Sequence, residues 1–597
     1  MTAPAPPDTR PPSLDDYCAA GVIAPADVTA ARMLVGLARQ DGPPVEPSLL
    51  AWLGMCLALR TPRDGHTCVH LGQIADWAGG IDPDSAALPW PTEPRPWIDA
   101  LQALPALVGG PGAARPFILD GADTPGGRDA RLYLGQAFST EEAIAAALLR
   151  DESRHVSILL GGPGSGKTFT LAKDLIEVCE RSATPPRIAL AAPTGKAAAR
   201  MTKALEDRCL KAQASAAVIK AVRAAPATTI HRLLKYNPDR APQFGFGPAN
   251  PLDYDLVVID EVSMVSSSLL QALLAAVGPA TAIRLVGDPD QLASVEAGSV
   301  LADIARACRD GSTPLAQRLT ELGGQHRYDA NSAIARLARA IRTGDTGGGL
   351  AALAAGTDDV RWIKPGDAAG LAEITAIVRE HARRLRELAR DEADSAAERA
   401  QRVLGAQGEL QVLCARRGGP AGVSGWNQRV ERGLGLGPAA GWYSGRPIMV
   451  TKNNPELGLF NGDVGVVVPA AESAAAPSAG RRKDAVFALG DEVIRVPVTR
   501  LEEVATVHAL TIHRSQGSEY GHAIVVLPEA RSRLLTRELL YTGITRAAKQ
   551  VTVIGAEDVI QTAIERPIRR ATGLAARLAG RPPYPTTDGR PSPPTSA

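Results

Sequence analysis

With 597 residues, the chain has room for about three to five domains of roughly 100–200 residues each. Its 45% hydrophobic and 22% charged content is that of globular domains with buried cores. A net charge of +1 excludes a global basic field as the means of holding a polyanion, although a narrow channel needs only a local line of donors and cations. The seven cysteines include no CxxC pair, which speaks against a zinc or iron–sulfur centre and for reduced thiols. There is no secretory h-region and no run of about 18 apolar residues, so a cytoplasmic location is expected.

Residues 1–13 are Pro-rich and read as disordered. Residues 14–112 read as a helical docking domain, with Leu34, Leu37, Leu53 and Leu57 at helical spacing. Over 113–345 short apolar runs alternate with helical segments: SILL at 157–160, RIALAA at 187–192, DLVVID at 255–260 and AIRLVG at 282–287. Each predicts a buried parallel strand ending in small or polar residues, an α/β pattern that places ligands at the strands' carboxyl ends. A second α/β domain is expected over 346–439 and 506–578, on strands at 409–415, 522–527 and 550–555. Between its halves, 440–505 is β-rich and punctuated by turns such as Asn461-Gly462-Asp463, which predicts a small inserted β-barrel. The small, polar stretch 470–482 is expected to be a loop, and 579–597 a disordered tail.

The sharpest motif is Gly161-Gly162-Pro163-Gly164-Ser165-Gly166-Lys167-Thr168, which fits GxxxxGK[ST] between a predicted strand and a predicted helix. Glycines let backbone N–H groups turn inward around phosphates, and the helix adds its positive end. Lys167 is expected to neutralise β/γ-phosphate charge and the Thr168 hydroxyl to bind Mg²⁺. Leu256–Glu261 supplies the acidic partner: Asp260 for Mg²⁺, and Glu261 as the base that polarises attacking water. Gly287-Asp288-Pro289-Asp290-Gln291-Leu292 also follows a predicted strand. Alone it is a good turn sequence. Beside a P-loop, Gln291 becomes a sensor of the γ-phosphate.

The ordered set GGPGSGKT, APTGKAAARM, TTIHRLL, VVIDEVSM, GDPDQL, TIHRSQGSEY and LLYTGITRA resembles superfamily 1 helicases of the 5′-to-3′ branch. Segments 411–427 and 445–467 resemble the RecD family, the alpha subunits of exodeoxyribonuclease V. The resemblance covers about 115–575 and implies an α/β fold with two RecA-like P-loop domains, a helical N-terminal domain and the inserted barrel. It implies an ATP-dependent 5′-to-3′ DNA helicase subunit, joined to RecB-like and RecC-like partners and acting on DNA ends in double-strand break repair and recombination. The residues alone also admit a stand-alone helicase or a P-loop ATPase acting as an assembly switch. No nuclease pattern is recognisable, so any nuclease is expected in a partner.

The resemblance further implies that Arg327 and Arg546 are arginine fingers, and that Gln516 and Gly517 contact nucleotide. Pro193, Thr194, Lys196, Thr229, His231, Thr511 and His513 match positions that touch the DNA backbone, with a cap or turn role as the alternative for each. One departure stands out. Glu142 occupies the place of the glutamine that reads the adenine edge, and Gln136 is out of phase.

Overall fold

The computed structural model describes residues 12–39, 46–79, 88–149, 156–182, 184–225, 227–237, 243–323, 332–391, 395–437, 441–470, 482–489, 492–530 and 532–580. The expected finger Arg327 lies outside them, as do most of the predicted loop at 470–482 and nearly all of both predicted tails.

Among the described residues the N-terminal region is not wholly helical. It holds four strands, β1 (Cys68–His70), β2 (Val108–Gly109), β3 (Phe117–Asp120) and β4 (Arg131–Leu134), in the order β1-β4-β3-β2. Phe117, Leu119 and Leu132 share one buried core with Leu53, Leu57 and Trp97. That shared core carries the unit past residue 112, to Leu134.

The next sheet comprises β5 (Val156–Gly161), β6 (Ile188–Ala192), β7 (Ala227–Thr229), β8 (Leu256–Ile259), β9 (Ala282–Gly287) and β10 (Leu319–Leu322). Every pairing is parallel, in the order β10-β5-β9-β8-β6-β7. Aliphatic residues on both faces of the central strands let helices cover both sides. The order places the carboxyl ends of β5, β9 and β8 side by side.

A second parallel sheet follows the order β11-β20-β19-β12-β18. Its strands are β11 (Val360–Ile363), β12 (Leu410–Cys414), β18 (Ala509–Thr511), β19 (Tyr520–Val526) and β20 (Ala547–Ile554). The chain between β12 and β18 carries β13 (Pro447–Val450), β14 (Val464–Pro469), β15 (Lys483–Leu489), β16 (Glu492–Pro497) and β17 (Val504–Thr506). These form an antiparallel sheet in the order β16-β15-β14-β13-β17 around Ile448, Val467 and Phe487.

Two segments depart from the expected division. Helix Ala333–Thr343 buries Ile334, Leu337 and Ile341 in the core of the second sheet, so that unit begins before 345. Helix Leu574–Leu578 buries both of its end leucines among Ile144, Leu148 and Ile304 of the first core, not the second. Residues 566–578 therefore form a strap that leaves the second unit and returns to the first. The Ala571 carbonyl accepts from the Thr67 amide (3.0 Å), and the Gly573 amide donates to Glu141 Oε2 (3.1 Å). Arg570 donates to the carbonyls of Ser294 and Gly298, each at 2.5 Å. Among the described residues, no helix is long and apolar enough to cross a membrane.

Candidate nucleotide cleft and nucleic-acid face

The P-loop connects β5 to helix Lys167–Arg181. Gly164 (φ 77°) and Gly166 (φ 92°) take left-handed backbone that side chains resist. A Cβ at Gly161 would lie 2.3 Å from Ser165 Oγ, and one at Gly162 2.7 Å from Tyr541 Oη, which comes from the second unit. Lys167 Nζ folds over the loop and donates to the carbonyls of Gly161 (2.5 Å) and Gly162 (3.1 Å). Ser165 Oγ is buried without a hydrogen-bond partner among the described residues.

Two carboxylates face this loop from the neighbouring strand ends. Burial, and next the charge of Glu261, push the Asp260 carboxyl above its ordinary range, while Lys167 pulls it down. Glu261 follows in left-handed backbone (φ 53°), which turns the chain sharply after β8. Asp288, at the end of β9, is also raised by burial and lowered by Lys167. Its role was missed in the sequence, although it ends a strand just as Asp260 does.

Gln291 joins the two units. Its Nε2 donates to Asp288 Oδ2 (3.0 Å), and its Oε1 accepts from Arg546 Nη2 (3.0 Å). Arg546 is buried and also donates to the carbonyls of Thr542 and Ser518, each at 3.2 Å. Gln516 does not line the cleft. Its amide donates to the Leu292 carbonyl (2.9 Å), while the Leu292 amide donates to Thr542 Oγ1 (3.0 Å), so both atoms of that peptide position are gripped by the second unit. Gly517 does line the cleft, and Glu519 ion-pairs with Arg200 across it.

The resulting cleft, about 390 Å³, is lined by Lys167, Thr168, Asp260, Glu261 and Gln291 from the first unit and Gly517, Glu519 and Arg546 from the second. Arg200 was also missed. It lies one turn beyond Lys196 on helix Gly195–Lys211 and feels the charges of both Glu261 and Asp260. Neither Gln136 nor Glu142 lines the cleft. Helix Gly135–Leu149 leaves Glu142 exposed and turns Glu141 inward to Thr67 Oγ1 (2.5 Å) and Tyr133 Oη (3.1 Å).

The three threonines expected on DNA are helix caps. Thr194, Thr229 and Thr511 accept from the amides of Ala197 (3.2 Å), Arg232 (3.3 Å) and Arg514 (3.4 Å). A cap uses the hydroxyl only as acceptor, so its O–H still has a proton to donate outward. Thr229-Ile230-His231-Arg232 after β7 and Thr511-Ile512-His513-Arg514 after β18 put the same four residues at one edge of each parallel sheet. His231 packs edge-on to Tyr236 (5.2 Å between centroids), and Pro193 precedes the Thr194 cap. The loop before β14 leans on this face. Phe460 lies 3.4 Å from the Arg232 guanidinium, and Asp463 acts on both Lys196 and Arg232. Thr194→Ala is expected to destabilise the first turn of its helix by about 1 kcal/mol, read as roughly five-fold faster amide exchange at Ala197. Thr194→Ser should restore most of the protection, and an unchanged Ala variant would remove the cap.

The chain matches three family descriptions: an AAA domain over 141–297, a UvrD-like helicase C-terminal domain over 506–554, and the N-terminal domain of RecBCD enzyme subunit RecD over 19–123. It is 41% identical over 599 residues to the RecBCD enzyme subunit RecD of Mycolicibacterium smegmatis, covering 94% of this chain and 98% of that protein. Against the RecBCD enzyme subunit RecD of Mycobacterium tuberculosis it is 38% identical over 598 residues, covering 94% and 95%. It is 30% identical over 444 residues to the ATP-dependent RecD2 DNA helicase of Deinococcus radiodurans, covering 73% of this chain and 52% of that protein.

Proposed function

The chain belongs to the family of RecD subunits of the RecBCD enzyme, and from that membership we propose that it is an ATP-driven DNA helicase subunit that moves 5′-to-3′ on single-stranded DNA. It acts with RecB-like and RecC-like partners in processing double-strand breaks, in the cytoplasm. The two parallel sheets are its RecA-like motor domains, and the antiparallel sheet between β12 and β18 is the inserted barrel. The N-terminal region serves as the docking domain, and Met33 and Leu37, 65% and 60% exposed on helix Pro25–Ala38, mark its apolar face.

The observation that carries the motor reading is the Asp288–Gln291–Arg546 chain of hydrogen bonds across the seam. It makes the state of the cleft depend on the relative position of two domains. Lys167 holds the transferring phosphate's charge. Glu261 takes a proton from the water whose oxygen attacks the γ-phosphorus, as the bond to the β-phosphate oxygen breaks. Arg546 spans the cleft with a planar fork suited to the charge on the equatorial oxygens. Arg327 is assigned the same role by the family resemblance.

Thr168 and Asp260 fit Mg²⁺: both line the cleft, and Asp260 is a buried carboxyl raised by desolvation, an environment that favours a cation. When bound, the ion supplies neutralisation of β/γ charge. The capping threonines, Lys196 and the two histidines hold the DNA backbone without reading sequence.

Phosphate release with and without oligo-dT tests this, together with strand displacement from substrates bearing a 5′ or a 3′ overhang. DNA is expected to raise the rate, and only the 5′ overhang to be unwound. A rate indifferent to DNA would leave the assembly-switch reading in its place, and unwinding from the 3′ overhang would reverse the polarity.

A further inference from the structure

A second groove, of about 870 Å³, lies on the seam of the N-terminal and the two motor units. Its walls include His66 and Trp77 from the N-terminal region, Leu292 from the first motor unit, and His513, Arg533, Leu534, Arg566 and Arg569 from the second unit and its strap. His513 belongs to the motif whose threonine caps the helical turn after β18, so the groove opens from the proposed DNA face. Burial, and next the charges of Arg417 and Arg570, disfavour protonation of that histidine.

The side chains divide into those already committed and those available. Arg570 is committed to the carbonyls of Ser294, Glu296 and Gly298. Asp64 pairs with Arg60 (2.7 Å), and Glu565 accepts from Gln561 Nε2 (2.9 Å). Arg533 and Arg569 are exposed and have no ion-pair partner among the described residues. Asp76 and Glu565 have no ion-pair partner among the described residues either, and Arg566 donates only to the Ser532 carbonyl, so three guanidinium groups face two carboxylates and the free charge is positive on balance.

Trp77 is half-buried and stands edge-on to His66 (centroids 5.9 Å, interplanar angle 81°), with the Arg60 guanidinium 5.6 Å from its ring. The Ala571 amide of the strap donates to His66 Nδ1 (2.8 Å), which fixes the pair. Leu534 is 48% exposed beside them. A fixed indole, an exposed aliphatic side chain and unpaired guanidinium groups are the parts of a surface that stacks bases and tracks phosphates without regard to sequence.

We propose that this groove is a further stretch of the single-stranded DNA path, in which Trp77 of the N-terminal region stacks a base while Arg533 and Arg569 hold phosphates. The proposal rests on the helicase reading above and gives the N-terminal region a nucleic-acid contact of its own. An acidic segment of a partner protein would need the arginines but not the ring.

The test is fluorescence anisotropy on the full chain, with a dT oligomer of about 8 nucleotides that reaches the motor domains alone and one of about 25 that extends beyond them. Trp77→Ala and the double variant Arg533→Ser/Arg569→Ser are expected to weaken the long oligomer about ten-fold or more and to leave the short one unchanged. Trp77→Phe should keep wild-type affinity. The double variant should also flatten the salt dependence by about 1.4 logarithmic units per decade, roughly 0.7 for each lost phosphate contact. Variants that bind both oligomers like wild type overturn the groove while leaving the helicase reading standing. So do variants that bind DNA normally but no longer co-purify with RecB- and RecC-like subunits, which would make the groove a protein-docking surface. A wild-type chain that binds neither oligomer overturns both readings together.

Discussion

Lys167→Ala is expected to abolish ATP hydrolysis while leaving the protein folded. The ammonium does not support the core; it donates to the Gly161 and Gly162 carbonyls of its own loop. Its electrostatic reach is wider, because Asp260 and Asp288 are both raised by burial and both lowered by Lys167. Removing it takes away the cation that faces the phosphates and allows both acids to rise further. A loss of about 10²–10³ or more is expected for one preorganised charge of this kind. Phosphate release by the purified variant measures the loss, and circular dichroism checks the fold. Unwinding at the wild-type rate would remove Lys167 from the site.

Arg546→Ala is expected to cost about 10³–10⁵ in the DNA-stimulated rate, the usual contribution of an arginine finger. The side chain is 3% exposed and ties Gln291, Thr542 and Ser518 together. An alanine therefore also leaves two buried carbonyls short of a donor, and a fall in rate alone would not separate chemistry from local collapse. Arg546→Lys keeps the charge but loses the fork. If the finger acts in the transition state, the lysine variant should also be slow, with KM for ATP within a few-fold of wild type. Recovery of the full rate by lysine would assign Arg546 a merely structural tie.

The central strands of both parallel sheets were legible because each carries a short, largely aliphatic run that is buried over most of its length. β7, β10, β11 and β18 were not, and all four are sheet edges. β10 has partial cover and carries the sequence Leu-Thr-Glu-Leu with no fully buried residue, whereas β18 is buried throughout but only three residues long. The N-terminal strands were hidden in the same way, being two to four residues long. That the P-loop and the acidic pair would meet in one cleft was legible, because each ends a strand of the same α/β pattern. Arg200 and Asp288 were not, because their meaning depends on which strand ends and helix faces the sheet order brings together. The capping threonines show the limit of motif reading, since one hydroxyl can satisfy a helix end and still be offered outward. Gln516 turns to the Leu292 carbonyl of the other unit, a partner that nothing local to it reveals.

The strap at 566–578 has a consequence for how the chain is made. Glu141 and Gly573, hydrogen-bonded in the finished protein, lie 432 positions apart. At about 5–20 residues per second of synthesis, the helix bearing Ile144 and Leu148 waits roughly 20–90 s for Leu574 and Leu578 to emerge. Throughout that interval the first motor domain presents an uncovered apolar seat and a buried-to-be carboxylate without its amide donor. The chain thus cannot complete its domains one after another from the ribosome. The first core is completed only when Leu574 and Leu578 of the strap reach it, after the second unit has been synthesised.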